Sequence, residues 1–281
     1  VSPVLGLGTY RVRAAAEAAR TALADGAAWI DTAPNYGHGH VHRALAPVLA
    51  DHPASKVATK TGFHPGGRHS LAPTDVRAQV EKSLAVLGRA DLIFVHNPEH
   101  HGHDRGHLHR GIRDAFTVLE EFADAGRIGR YGIATWNGFT SGAFTIAELT
   151  TLASEAAGSP RHHLGAVQMP VSLVMYDTVR QALDGTGPLV EARGSGLTAF
   201  GSAPLHGGEL PALMTPELVN LVSPGTTPHT AAFRAVAACP ALDVILTSAS
   251  TRRHWEDAGA ALAQPIPLGH LRTVLDVLSS G

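Results

Sequence analysis

The sequence predicts an α/β chain closed as a single (β/α)8 barrel, the TIM-barrel architecture, spanning residues 1–281. Three observations carry that expectation. The chain has 281 residues, and such barrels need about 250 residues as one domain. Short apolar runs alternate with longer amphipathic stretches along the whole chain. No short-period repeat or low-complexity linker divides it. Serial β–α units favour a closed parallel sheet, although an open doubly wound sheet uses the same alternation.

The units follow in order. Val4 to Leu7 precedes an amphipathic stretch from Ala14 to Asp25, and Ala27 to Ile30 precedes one from His40 to Ala50. Lys56 to Thr59 leads to Thr74–Leu87, and Asp91 to Val95 to Leu108–Ala125. Arg130 to Ala134 leads to Ala143–Ala156, and Leu164 to Gln168 to Asp177–Arg193. Gly196 to Phe200 is followed, after a long loop, by Thr230–Ala238. Leu242 to Leu246 leads to Thr251–Ala261, and Leu268–Leu278 closes the chain. Apolar runs bounded by turn residues suit strands buried on both faces. Thr74 or Asp75 is the expected cap of the third helix. Gly126 is the expected stop after the fourth.

Composition narrows the function classes. Hydrophobic residues make up 44% and charged residues 16%, the balance of a globular chain, with net charge −2. No basic stripe interleaved with aromatics supports nucleic-acid binding. No apolar run approaches a membrane span. Val1 to Gly8 lacks a signal-peptide pattern. Cys239 is the single cysteine, so no intramolecular disulfide forms and a reducing, cytoplasmic setting fits. Arginine far outnumbers lysine, which occurs only at positions 56, 60 and 82.

Barrel active sites sit where strands end and βα loops begin. There the sequence places Asp31, Lys60 and His96 at the ends of consecutive strands, with Tyr36 in the second loop. A free phenol titrates near ~10 and is a poor acid at neutral pH. A lysine cation beside it is expected to lower that value. A buried lysine in turn needs a compensating carboxylate, which Asp31 offers. His96 can donate a hydrogen bond to a carbonyl oxygen. Together these groups protonate a carbonyl oxygen as hydride arrives at carbon, and the hydride must come from a cofactor. Taken singly, each residue has a plain structural use, as a rim ion pair, a core histidine or a loop aromatic. It is the conjunction of all four that points to chemistry.

The chain resembles the aldo-keto reductase family. The resemblance runs through Gly6-Leu7-Gly8-Thr9, Asp31-Thr32-Ala33-Pro34-Asn35-Tyr36-Gly37, Lys60, His96-Asn97-Pro98 and Gly126-Arg127-Ile128. It continues at Gln168, Ala203-Pro204-Leu205 and Ser248 to Asp257. Asp31 to Gly39 looks especially like the sugar and aldose dehydrogenase branch. The resemblance implies a catalytic tetrad of Tyr36, Asp31, Lys60 and His96, with NADP(H) as cofactor. It places Thr9 and Tyr10 near cofactor and substrate, and Gln168 on the nicotinamide amide. Ser248 and Arg253 match positions that contact a 2′-phosphate, which a guanidinium fork suits. The helix start near Thr251 offers backbone amides to an anion.

Some positions depart from the family pattern. Ala134 and Thr135 stand where Ser-Asn is usual, leaving Thr135 one hydroxyl for nicotinamide. Ser202, ahead of Pro204 and Leu205, replaces an aromatic that often stacks under the ring. Asp257 stands where asparagine is common, and Val41-His42 where Ser-Glu is. Asn97 and Trp136 are expected at the substrate pocket, and Trp29 and Trp255 in packing. His100, His101, His103, His107 and His109 crowd the loop after strand four. Without a cysteine or carboxylate cluster they read as solvated loop histidines rather than metal ligands. Residues 202–227 form a long loop suited to cover the cofactor pyrophosphate, with a short helix near Pro216 to Val222.

The expected function is an NADP(H)-dependent reductase of a small carbonyl compound, or an alcohol or sugar dehydrogenase in reverse. The alternatives are a non-redox lyase, isomerase or cyclase reusing Tyr36 and Lys60, and an NADP(H) sensor without turnover. No metal, nucleic-acid or membrane partner is expected.

Overall fold

A computed structural model describes residues 2–102 and 104–280; His103 of the histidine-rich loop lies outside them. Eight parallel strands close into a barrel in sequence order, with β1 pairing β8. The strands are β1 (Val4–Gly8), β2 (Trp29–Asp31), β3 (Lys56–Thr61), β4 (Leu92–His96), β5 (Arg130–Ala134), β6 (Leu164–Pro170), β7 (Thr198–Ser202) and β8 (Val244–Thr247). The open-sheet alternative is thereby set aside.

The helices are α1 (Ala15–Ala24), α2 (His40–Asp51), α3 (Pro73–Leu87), α4 (Arg105–Asp124), α5 (Ile146–Ala157), α6 (Asp177–Leu183) and α7 (Gly187–Gly194). Then come α8 (Leu210–Leu213), α9 (Pro216–Val222), α10 (Pro228–Ala237), α11 (Arg252–Leu262) and α12 (Leu268–Ser279). No helix among the described residues is long and apolar enough to cross a membrane.

The period-2 alternation of the strands sorts side chains into two sets. One set points outward, where helices cover it with a large apolar core that includes Ile93, Val95, Ile133, Val167 and Phe116. The inward set includes Ala58, Leu92, Phe94, Ala134, Ala166, Phe200, Val244 and Leu246. Phe200 packs edge-on against Trp29 at 5.2 Å and Phe94 at 5.5 Å, filling the barrel. Gly132 makes room for that packing: a Cβ there would lie 2.9 Å from the Phe94 ring. Trp255 is buried, and Trp29 packs under Lys56, so both serve packing as expected.

Two local expectations are corrected. Neither Thr74 nor Asp75 caps α3; Pro73 occupies its first turn, where a missing N–H costs nothing, and Ala72 is the N-cap. The stretch 177–193 is two helices, because Gly185 and Gly187 both take positive φ between them. Gly126 does terminate α4 with φ +65°. The loop after β7 carries two short helices, α8 and α9.

Candidate active site

The inward alternation that places Trp29, Ala58 and Phe94 low in the barrel brings Asp31, Lys60 and His96 to its C-terminal end. Each lies two residues further along the same face. Lys60 Nζ donates to both Asp31 oxygens, at 2.7 and 2.6 Å, and to the Thr32 carbonyl at 3.0 Å. The side chains are 1% and 5% exposed. Burial pushes the Asp31 carboxyl up and the Lys60 ammonium down, and their mutual attraction opposes both shifts. Bidentate contact plus the Thr32 carbonyl satisfies all three ammonium hydrogens, which is what a buried charge requires.

Tyr36 folds back over this pair. Lys60 Nζ lies 5.2 Å from its ring centroid, and the His96 ring stands edge-on at 6.2 Å. The expectation that Lys60 lowers the phenol is corrected. Burial pushes Tyr36 well above its ordinary value, and the Asp31 carboxylate and Tyr10 push the same way. The physical reason is that Lys60 spends its charge on Asp31. The phenol is therefore held protonated. Burial and the Lys60 charge press His96 well below its ordinary value, so its imidazole is neutral. Its Nδ1 is buried with no hydrogen-bond partner among the described residues, while its backbone carbonyl accepts from His69 Nε2 at 2.9 Å.

A cavity of about 630 Å³ opens above these groups. Of the expected residues, Tyr10, Asp31, Tyr36, His96, Asn97, Thr135, Trp136, Gln168, Ser202, Pro204, Leu205 and Ser248 line it. Lys60 sits just beneath, bonded to Asp31. Thr9, Arg253 and Asp257 do not line it. Thr9 is fully buried, and its hydroxyl donates to the Asp31 carbonyl at 2.9 Å, which positions the β2 end instead. The Arg253 side chain is 89% exposed and lies 3.7 Å from Asp257, one helical turn along α11. Gln168 Nε2 donates to Asp31 Oδ1 at 3.2 Å, joining the acid–base cluster. Thr135 is also engaged within the protein. Its hydroxyl donates to Glu99 at 2.8 Å and accepts from the Gly138 amide at 2.8 Å, so the free hydroxyl expected there is already used.

Sequence reasoning missed Arg11, Phe63, His206 and Glu209, which also line the cavity. A signal would have been hard to find, because Arg11 and His206 are ordinary residue types in left-handed conformations, with φ of 57° and 49°. Such strain gathers at functional sites. Here Asn97 (φ 46°) and Ala203 (φ 50°) share it on the same rim. The Arg11 guanidinium stacks on Tyr10 at 5.2 Å.

Comparison with known proteins adds family to fold. The family model described as "Aldo/keto reductase family" matches residues 4–213. The chain belongs to that family. No curated protein sequence matches it. Among solved structures it is similar to a thermostable aldo-keto reductase, Tm1743, in complex with the inhibitor epalrestat. The two share 19% identity over 98% of this chain and 94% of that one, with TM-score 0.73. It is similar to the glycerol dehydrogenase AKR11B4 from Gluconobacter oxydans at 19% identity, covering 98% and 91%, with TM-score 0.75. It is also similar to the aldose reductase from Schistosoma japonicum at 19%, covering 98% and 88%, with TM-score 0.65. These likenesses establish the barrel. Family membership makes the chain an oxidoreductase of small carbonyl compounds, with the lyase and sensor alternatives not favoured.

Proposed function

We propose that this single-domain aldo-keto reductase reduces an aldehyde or ketone with NADP(H), or runs the reverse reaction on an alcohol or sugar, and that Tyr36 is its proton donor. One observation carries the reading above all. A protonated phenol lies over a buried Asp31–Lys60 pair, with a neutral imidazole at its edge, at the floor of a single cavity.

The residues present suit a nicotinamide cofactor. Gly8 lines the cavity without a side chain. Arg11 offers a guanidinium to a phosphate, and Ser248 a hydroxyl. Gln168 has an amide able to exchange Asp31 for a ligand carboxamide. When bound, the reduced cofactor supplies hydride to the carbonyl carbon.

The chain's own groups handle the oxygen. His96, being neutral, donates one hydrogen bond and orients the carbonyl. Tyr36 holds its proton until negative charge develops on that oxygen. An alkoxide is basic enough to take a proton even from a phenol whose pKa is raised. Asp31 and the Thr32 carbonyl keep Lys60 charged and aimed beneath the Tyr36 ring.

The test is direct. Purified protein is titrated with NADPH by fluorescence, then offered a panel of aldehydes while absorbance near ~340 nm is followed. Binding and NADPH oxidation with at least one aldehyde are expected. Failure to bind NADPH contradicts the reading.

A further inference from the structure

A second cavity of about 160 Å³ lies beside the first. Thr135 and Trp136 line both, so they form the shared wall. On the main-cavity side the Trp136 ring faces His206 at 6.1 Å between centroids. On the other side the small cavity is lined by Phe139, Met169, Pro170 and Met175, with Thr140 and Thr178. Two thioethers make that wall deformable. Asp177 is its charged lining residue, which disfavours an anionic occupant.

The wall is held from one side chain. Glu99 Oε1 accepts from the Thr135 hydroxyl at 2.8 Å, the Trp136 amide at 2.9 Å and the Asn137 amide at 3.2 Å. The turn beyond is closed by the Gly138 amide donating to Thr135 Oγ1, and a Cβ at Gly138 would collide with the Phe144 ring. Glu99 Oε2 is buried with no partner among the described residues. A carboxylate that spends one oxygen on three donors of a single turn fixes that turn. It therefore fixes where the backbone of Trp136 sits.

We propose that Trp136 is a partition that limits the length of substrate, that Glu99 is the positioning residue that holds it, and that the small cavity behind it is room for a neutral hydrocarbon tail that the partition withholds from longer carbonyl compounds. The inference rests on the reductase reading above for the word substrate, and not for the binding site itself. Each methylene moved there from water is worth about fourfold in affinity.

The test uses the full chain and does not depend on turnover. Binding of 1-octanol and 1-propanol is measured by ligand-observed NMR for the wild type, Trp136→Ala, Glu99→Ala and Glu99→Gln. Trp136→Ala and Glu99→Ala should raise the octanol-to-propanol affinity ratio at least tenfold. Glu99→Gln should keep the wild-type ratio, because its Oε1 can accept the same three hydrogen bonds. An unchanged ratio in Trp136→Ala overturns the partition. A Glu99→Gln ratio equal to that of Glu99→Ala overturns the positioning role. A parallel arm follows NADPH-linked reduction of linear aldehydes of increasing length. Absence of turnover there counts against the reductase reading, while the alcohol ratio still decides the partition.

Discussion

Lys60→Met leaves the Asp31 carboxylate buried without the two contacts of 2.6 and 2.7 Å that now compensate it. The side chains are almost wholly enclosed. Removing one partner of such a pair costs about 3–5 kcal/mol, because the remaining charge has no solvent to turn to. For a barrel of this size that corresponds to a fall in Tm of roughly 6–10 °C. The deficit should depend on pH with a definite sign. Burial already raises the Asp31 carboxyl in the folded protein, and loss of Lys60 raises it further. The folded state then binds a proton at a pH where the unfolded state has released it. The variant's deficit relative to wild type accordingly narrows as pH falls from 7 towards 4 and widens as pH rises. A second change, Asp31→Asn, removes the orphaned charge, so the double variant should recover most of the loss at neutral pH. Urea denaturation followed by circular dichroism at several pH values measures all of this. A Lys60→Met variant within 1 kcal/mol of wild type, or a loss that Asp31→Asn does not relieve, would refute the reasoning.

Three further outcomes are expected. His42 is buried against Thr59 and pressed down to about 4 by burial and by the Lys60 and Lys82 charges. The unfolded chain therefore binds a proton that the folded one does not, and stability falls as pH drops from about 6.5 to 4. His42→Gln should remove about 3 kcal/mol of that pH dependence in the same denaturation series. Arg11→Ala should raise the Kd for NADPH about tenfold, the worth of one charge-assisted hydrogen bond, read by fluorescence titration. Glu120 is buried and accepts from the Tyr131 hydroxyl at 2.6 Å and from the His163 amide and Nδ1 at 2.8 and 2.7 Å. Glu120→Ala leaves these donors unpaired and should cost about 2–4 kcal/mol by chemical denaturation, without altering NADPH affinity.

The barrel was legible because its signals are local. Strand-length apolar runs, turn residues and helix-length amphipathic stretches repeat in register with the units the structure contains. Asp31, Lys60, His96 and Tyr36 were legible for the same reason, since strand ends can be read from the chain and the fold gathers them. What escaped depends on contacts between distant residues. Thr135 carries a free hydroxyl on paper, yet Glu99, at |i−j| = 36, occupies it. Gln168 bonds Asp31 across |i−j| = 137, which no local pattern encodes. The Tyr36 proton affinity turns on whether Lys60 serves the phenol or the carboxylate, and that is decided by distances. Arg11 and His206 were overlooked because their backbone strain leaves no mark in residue type. Exposure of Arg253 on α11 likewise follows from how the helix lies against the barrel.

Tyr36→Phe tests the proton-donor claim most directly. The change removes one oxygen and leaves the ring over Lys60 and beside Tyr10 and His96. Cofactor affinity and single-turnover NADPH oxidation with a reactive aldehyde are measured on the same preparation. Loss of the positioned acid should slow the chemical step by about 10²–10⁴-fold while the Kd for NADPH stays within about twofold. Turnover at the wild-type rate with the phenol gone would contradict the assignment of Tyr36 as proton donor.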